Sequence, residues 1–342
     1  MSAWLARSWI KRGWLAYLLW PLSLLYGVLS RLHRGLYRAG VLKTERCAVP
    51  VIVVGNVVAG GGGKTPLVIA LVQHFNRQGL QVGVVSRGYG RQGRACLEVL
   101  ENTPPSESGD EPALILRAQA APVFVANKRM DAVRALLAKY TAVQVVVSDD
   151  GLQHHALARD IEITVFDDRG IGNGWLLPAG PLRECWGTRP NLVLHTGQTP
   201  AFEGFTSTRQ LANHALNAAG HQVPLSDLKG QAITALAAIA NPESFFDMLR
   251  AHGLQLQQTI GLPDHFDFSG YTWPVSNHAV VLCTEKDAIK LFKLPQFKRC
   301  NVLAVALEFS PEPAFLAAVD ALLAPLLTKP SELPSPHGHK IT

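Results

Sequence analysis

Residues 51–66 read VIVVGNVVAGGGGKTP, a stretch whose types and order fit phosphate chemistry. An apolar run leads into Gly60, Gly61, Gly62 and Gly63, followed by Lys64 and Thr65 at the start of a helical pattern. Glycines leave the backbone amides bare, and a helix N-terminus adds its dipole. Lys64 can reach terminal phosphates, and the Thr65 hydroxyl can ligate Mg²⁺. The strict loop pattern asks for glycine six residues before the lysine. Val58 stands there, so the match is relaxed. Further along, VVVSDDGLQH (145–154) is an apolar run ending in Asp149 and Asp150. A carboxylate at a strand end can hold Mg²⁺ directly or through water. Together the two stretches imply a nucleoside triphosphate site with Mg²⁺, in which Asn56, the four glycines, Lys64 and Thr65 form the nucleotide-binding set.

The elements that must position these residues follow from hydrophobic periodicity. Short runs apolar on both faces (51–56, 82–87, 122–126, 143–150, 161–168, 191–196) alternate with helical patterns at 65–78 and 128–140. That alternation predicts a doubly wound, mainly parallel α/β sheet of the P-loop type. A polar stretch at 197–229 reads as the boundary region. Beyond it the alternation resumes at 232–240, 279–284 and 302–307, with helices at 243–252, 285–293 and 311–327. The expected organisation is an N-terminal membrane-associating helical segment (1–46), a nucleotide-binding domain (47–210), a smaller α/β domain (211–328) and a flexible tail (329–342).

The first 46 residues hold eight Lys or Arg against one acid, so they carry +7 and the rest −1 of the total charge of +6. A neutral body without a basic stripe argues against nucleic acid as a partner. Residues 14–30 are 17 uncharged positions flanked by basic residues, and Trp4, Trp9, Trp14 and Trp20 lie close by. At about 1.5 Å per residue a helix of that length approaches the roughly 30 Å of a hydrocarbon core. Pro21 is expected to kink it. Tryptophans and arginines in this arrangement suit a membrane interface with the body on the cytoplasmic side. Five dispersed cysteines without a C-x-x-C pair offer no metal framework and fit a reducing compartment.

Two P-loop classes are disfavoured. A GTPase base reader, Asn-Lys-x-Asp, is absent, since Asn127-Lys128-Arg129 is followed by Met130; Ala59 stands where a partition-type ATPase carries a second lysine. A membrane-tethered ATPase switch and a kinase of a small metabolite are the alternatives that residue types alone leave open.

The ordered set GNVVAGGGGKTP, SRGYGR (86–91), GDEP (109–112), SDDGLQH (148–154), LLPAGPLRE (176–184), PDHF (263–266) and TEKD (284–287) resembles the tetraacyldisaccharide 4'-kinase family. The resemblance implies an ATP- and Mg²⁺-dependent kinase of lipid A biosynthesis at the bacterial inner membrane. Its acceptor would be the 4'-hydroxyl of an acylated disaccharide 1-phosphate. It also implies that Asp110 accepts the hydroxyl proton and that His265 orients Asp110. Lys64 would hold phosphate, with Thr65, Asp149 and Asp150 at the metal and Arg87 and Arg183 as phosphate clamps. From its neighbours alone, Asp110 before Glu111-Pro112 also reads as a helix N-cap, and TEKD reads as an ordinary helix start.

Overall fold

The computed structural model describes residues 9–60, 62–118, 121–187, 190–264, 266–271, 279–297 and 300–328. The expected tail and His265 lie outside the described residues, as does Gly61.

Among the described residues, one extended sheet runs through the molecule. Its first half is built on β1 (Val51–Gly55), β2 (Val82–Ser86), β3 (Leu97–Val99), β4 (Val123–Val125), β5 (Val145–Asp149), β6 (Ile161–Phe166) and β7 (Leu192–His195). Strand β1 is fully buried and lies between parallel β5 and β6, with Val54 opposite Asp149. That register sets the glycine loop after β1 beside the two aspartates at the end of β5. Burial on both faces explains why these runs are uniformly apolar.

One face of the sheet packs Ile52 and Val54 against Leu67, Leu71 and Phe75 of the Lys64–Arg77 helix. Each of those three side chains is fully buried, which contributes about 1.5–3 kcal/mol apiece. The opposite face packs Val51 and Val53 against Val133 and Leu136 of the Arg129–Lys139 helix. The last helix, Pro313–Leu327, adds Phe315, Val319 and Leu323 to the first of these cores, and His74 Nε2 meets Asp320 at 2.9 Å. The chain therefore returns to its first half, whereas the sequence placed this helix in the 211–328 unit.

The second half comprises β8 (Phe205–Leu216), β9 (Gln222–Pro224), β10 (Ile233–Ala237), β11 (Leu256–Gly261), β12 (Val280–Thr284) and β13 (Asn301–Pro311). Strands β10 to β13 pair in parallel, β13 runs antiparallel to β8, and the start of β8 pairs in parallel with β7. Strand β8 thus joins the two halves, and it lies within residues 197–229, which the sequence reads as the boundary region. Helices Pro242–Ala251 and Glu285–Leu291 cover opposite faces of this half.

The N-terminal helix is Trp14–Arg38, and it continues through Pro21 and past the last apolar residue to include Arg31, Arg34 and Arg38. It touches the body by a narrow stripe, with Ala16, Ser23 and Gly27 buried. Ser23 donates to Leu176 O at 2.7 Å and Tyr26 donates to Arg183 O at 2.7 Å. A Cβ on Gly27 would come within 2.8 Å of Leu176 Cδ1, so a larger residue there would have to displace that leucine side chain. Leu18, Leu22, Leu25, Leu29 and Leu32 are each at least 55% exposed, a large apolar face turned away from the protein. By length and composition this helix can cross a membrane.

Candidate active site

The glycine loop is held from below by its own strand and from the side by β7. Asn56, buried just after β1, donates to Gly60 O at 3.1 Å and accepts from Lys64 Nζ at 3.3 Å. Gly62 lies against the Asn56 amide, and its carbonyl accepts from the Thr196 hydroxyl at 2.9 Å. Gly63, at φ +82°, is the left-handed residue that starts the Lys64–Arg77 helix. These contacts fix the loop so that the first helical amides face open space in the cleft.

Lys64 also lies 3.5 Å from Asp150 Oδ1, and Arg183 Nη1 donates to the same carboxylate at 3.1 Å. Burial would raise the Asp150 pKa, but Lys64 and Arg183 outweigh it and hold the carboxyl below the usual range. Asp149 behaves in the opposite way. It is 3% exposed, and burial first, then the charges of Asp150 and Glu111, push its pKa up to about 7. Its Oδ1 is buried with no hydrogen-bond partner among the described residues. A buried carboxylate oxygen without a donor is costly unless a cation completes it. With the Thr65 hydroxyl at the helix start, this donor set fits a hard divalent cation.

Arg129 lies beneath the pair. It is 3% exposed and donates from Nη2 to the carbonyls of Asp149 and Asp150 at 3.4 and 3.2 Å. Burial lowers its pKa to about 10, which leaves it charged. Asp150 itself sits at φ +48°, an uncommon setting for a non-glycine residue, and these carbonyl contacts fix the turn. Arg87 is exposed at the end of β2 and lines the same cleft as Arg183.

Asp110 is 6% exposed and is the first residue of the Asp110–Arg117 helix. Gly109 holds the N-cap position and Asp110 is the first residue inside the helix, so Asp110 is not its N-cap. Its carboxylate instead meets Lys290 Nζ at 2.8 Å, from the opposite half of the protein. Lys286, one turn earlier, reaches Asp264 at 2.8 Å and Glu111 at 3.6 Å. The TEKD segment has a second task as well as starting a helix. Thr284 accepts from Asp287 N as the cap, while Lys286 and the following Lys290 pair with acids beside the Asp110 helix.

The structure therefore brings Asn56, Gly60, Gly62, Gly63, Lys64, Thr65, Asp149, Asp150 and Arg183 to one end of the sheet. Lys64, Thr65, Arg87, Asp149, Asp150 and Arg183 line a cleft of about 3200 Å³ that extends toward Glu111 and Lys286. Arg129, Arg169, Arg209 and Lys290 were given no role from the sequence, and Lys286 was read only as part of a helix start. A lone Arg or Lys, whether in a loop, a strand or a helix, carries no local signal of a partner 20 or more positions away.

Known proteins resemble this chain in sequence and in fold. A family model described as "Tetraacyldisaccharide-1-P 4'-kinase" matches residues 15–324. A "Tetraacyldisaccharide 4'-kinase" of Polaromonas naphthalenivorans is 64% identical over 342 residues, covering 99% of both chains. One from Herminiimonas arsenicoxydans is 45% identical, over 83% of this chain and 85% of the relative. Among solved structures, the "apo" form of LpxK from Aquifex aeolicus in complex with ATP superposes with a TM-score of 0.78 at 30% identity. That match covers 92% of this chain and 99% of the other.

Proposed function

The chain belongs to the tetraacyldisaccharide-1-P 4'-kinase family, and from that premise we propose that it transfers the γ-phosphate of ATP to the 4'-hydroxyl of a tetraacyldisaccharide 1-phosphate. The observation that carries the chemistry is the meeting of the glycine loop, Lys64 and the Asp149–Asp150 pair at one sheet end, with Asp110 buried in the same interlobe region. Phosphoryl transfer needs positioning and charge neutralisation more than covalent help. The loop amides and Lys64 hold the phosphate chain of ATP. Thr65, Asp149 and Asp150 would hold Mg²⁺, which when bound neutralises charge on the phosphate oxygens. Arg183 keeps Asp150 ionised and in place, and Arg87 extends positive charge along the cleft wall.

Asp110 accepts the proton of the sugar hydroxyl. The Lys290 ammonium lies 2.8 Å from its carboxylate, on the side of the second half of the sheet. His265 is its partner by family resemblance. The neighbouring Asp264 is tied through Lys286 to Glu111, which follows Asp110, and that tie supports the pairing. The exposed leucine face of the Trp14–Arg38 helix is the membrane contact, with Arg31, Arg34 and Arg38 toward anionic headgroups on the cytoplasmic face of the inner membrane. An acylated acceptor then reaches the cleft without leaving the lipid surface. ATP turnover in detergent micelles should depend on the acylated disaccharide. Equal ATP hydrolysis with and without that lipid would overturn the reading in favour of a membrane-tethered ATPase.

A further inference from the structure

Arg209 lies on β8, the strand that joins the two halves, and its guanidinium reaches back to the glycine loop. A Cβ built on Gly63 would overlap Arg209 Nη2, so the guanidinium occupies the notch that the missing side chain leaves, with Thr196 Cγ2 beside it. Phe309, opposite Arg209 on β13, supports it from behind, with the guanidinium carbon 5.9 Å from the ring centre. Both Nε and Nη2 are buried without a hydrogen-bond partner among the described residues.

The acids closest in charge to Arg209 are already engaged. Asp167 accepts from Arg169 Nε at 3.0 Å and Nη2 at 2.7 Å, and Asp168 accepts from Thr199 N at 2.7 Å and Thr199 Oγ1 at 3.0 Å. A half-buried cation with two buried idle donors, next to the positive end of a helix, is an unfavourable arrangement by itself. It becomes favourable when an anion with several acceptor oxygens enters, because a planar guanidinium binds such groups through two parallel bonds. Three other cations of the cleft are committed to protein partners: Lys64 and Arg183 to Asp150, and Arg129 to the carbonyls of 149 and 150.

We propose that Arg209 is a ligand to the phosphate chain of the bound nucleotide, approaching it from the Gly63 side of the loop. The proposal rests on the glycine loop being the ATP site. Since β8 continues into the second half of the sheet, this contact makes nucleotide occupancy a tie between the two halves. Glycine at 63 then has two reasons, its positive φ and the room it leaves for the guanidinium.

The test uses the full chain in detergent micelles, with Arg209→Met, Arg209→Lys and Lys64→Ala, measuring Mg-ATP affinity by calorimetry and thermal stability without nucleotide. Arg209→Met should weaken Mg-ATP binding about 10- to 100-fold, as expected for losing hydrogen bonds to a charged group. The KM for the lipid should stay unchanged, and the nucleotide-free Tm should stay level or rise because an idle buried charge is gone. Arg209→Lys should recover part of the affinity. Unchanged ATP affinity in Arg209→Met, with binding lost in Lys64→Ala, would overturn this inference alone. Retained binding in Lys64→Ala would overturn the nucleotide-site reading itself. Weaker ATP binding accompanied by a lower nucleotide-free Tm in both Arg209 variants would make Arg209 a structural strut and also overturn the inference.

Discussion

Gly63→Ala separates backbone conformation from site geometry when it is compared with Gly230→Ala. Both glycines have nearly the same positive φ, +82° and +79°. An L-residue in the left-handed region costs about 1–2 kcal/mol, and with about 2–4 °C of Tm per kcal/mol for a mid-sized domain, each variant should lose roughly 2–8 °C. Their surroundings differ. A Cβ at 230 meets nothing within 4 Å, whereas at 63 it overlaps Arg209 Nη2 and comes within 3.2 Å of Thr196 Cγ2. The arginine or the loop must therefore move at 63, and the amides that follow move with it. Calorimetric titration with Mg-ATP and thermal denaturation give the two readouts. We expect Gly230→Ala to bind ATP as the parent does, and Gly63→Ala to lose at least tenfold in affinity, a change of about 1.4 kcal/mol. Parental ATP affinity in Gly63→Ala would refute the reasoning, since the loop would then tolerate the overlap without disturbing its amides.

Other consequences are as direct. Lys290→Ala removes the ammonium that meets Asp110 from the second half, and because Asp110 is 8% and Lys290 21% exposed in their side chains, the loss should be about 1–3 kcal/mol in urea denaturation, below the value for a fully buried pair; an unchanged midpoint would show that the pair does not tie the halves. Asp149→Asn should abolish Mg²⁺-dependent turnover while the fold keeps or gains stability, because the substitution removes a charge that burial disfavours; near-parental turnover would remove Asp149 from the metal site. His154 and His155 are held at about 4, by burial first and then by the charges of Arg129 and Arg159 respectively. Unfolding returns both to about 6.5, so the unfolded chain binds more protons between those values and stability should fall as pH drops from about 6.5 to 4. A His154→Gln/His155→Gln variant should flatten that slope in urea midpoints measured between pH 7 and 5, and an identical slope would refute the assignment. Leu18→Asp/Leu25→Asp/Leu32→Asp places charge on the exposed apolar face and should abolish co-sedimentation with anionic vesicles; retained sedimentation would move the membrane contact elsewhere.

Much of the nucleotide site was legible because it is local. Residues 51–66 contain the strand, the turn, the lysine and the helix start in sequence order, and each has a composition that permits little else. The aspartate pair was legible as an apolar run ending in charge. Strand β8 was not, because four successive residues of it, Thr206 to Arg209, line the cleft and none of them is fully buried. Phe205–Leu216 accordingly lacks the alternation of a strand with one dry face, and its threonines, arginine and glutamine read as linker. With β8 unrecognised, Arg209 had no element to sit on. The ion pairs of Lys286 and Lys290 were hidden for another reason. They join residues about 175 positions or more from the Asp110 helix, a separation at which spacing carries no information. The N-terminal helix proved longer than its uncharged run, since arginines at 31, 34 and 38 continue the helix once their charge lies toward solvent or headgroups.

The most direct test of the central claim is transfer of label from γ-labelled ATP, with Mg²⁺ and detergent micelles, onto an acylated glucosamine disaccharide 1-phosphate. The account predicts one labelled phosphate at the 4'-position, formed by the parent protein and lost in Asp110→Ala while that variant still binds ATP. Hydrolysis of ATP with no labelled lipid, or label transfer undiminished in Asp110→Ala, would contradict it.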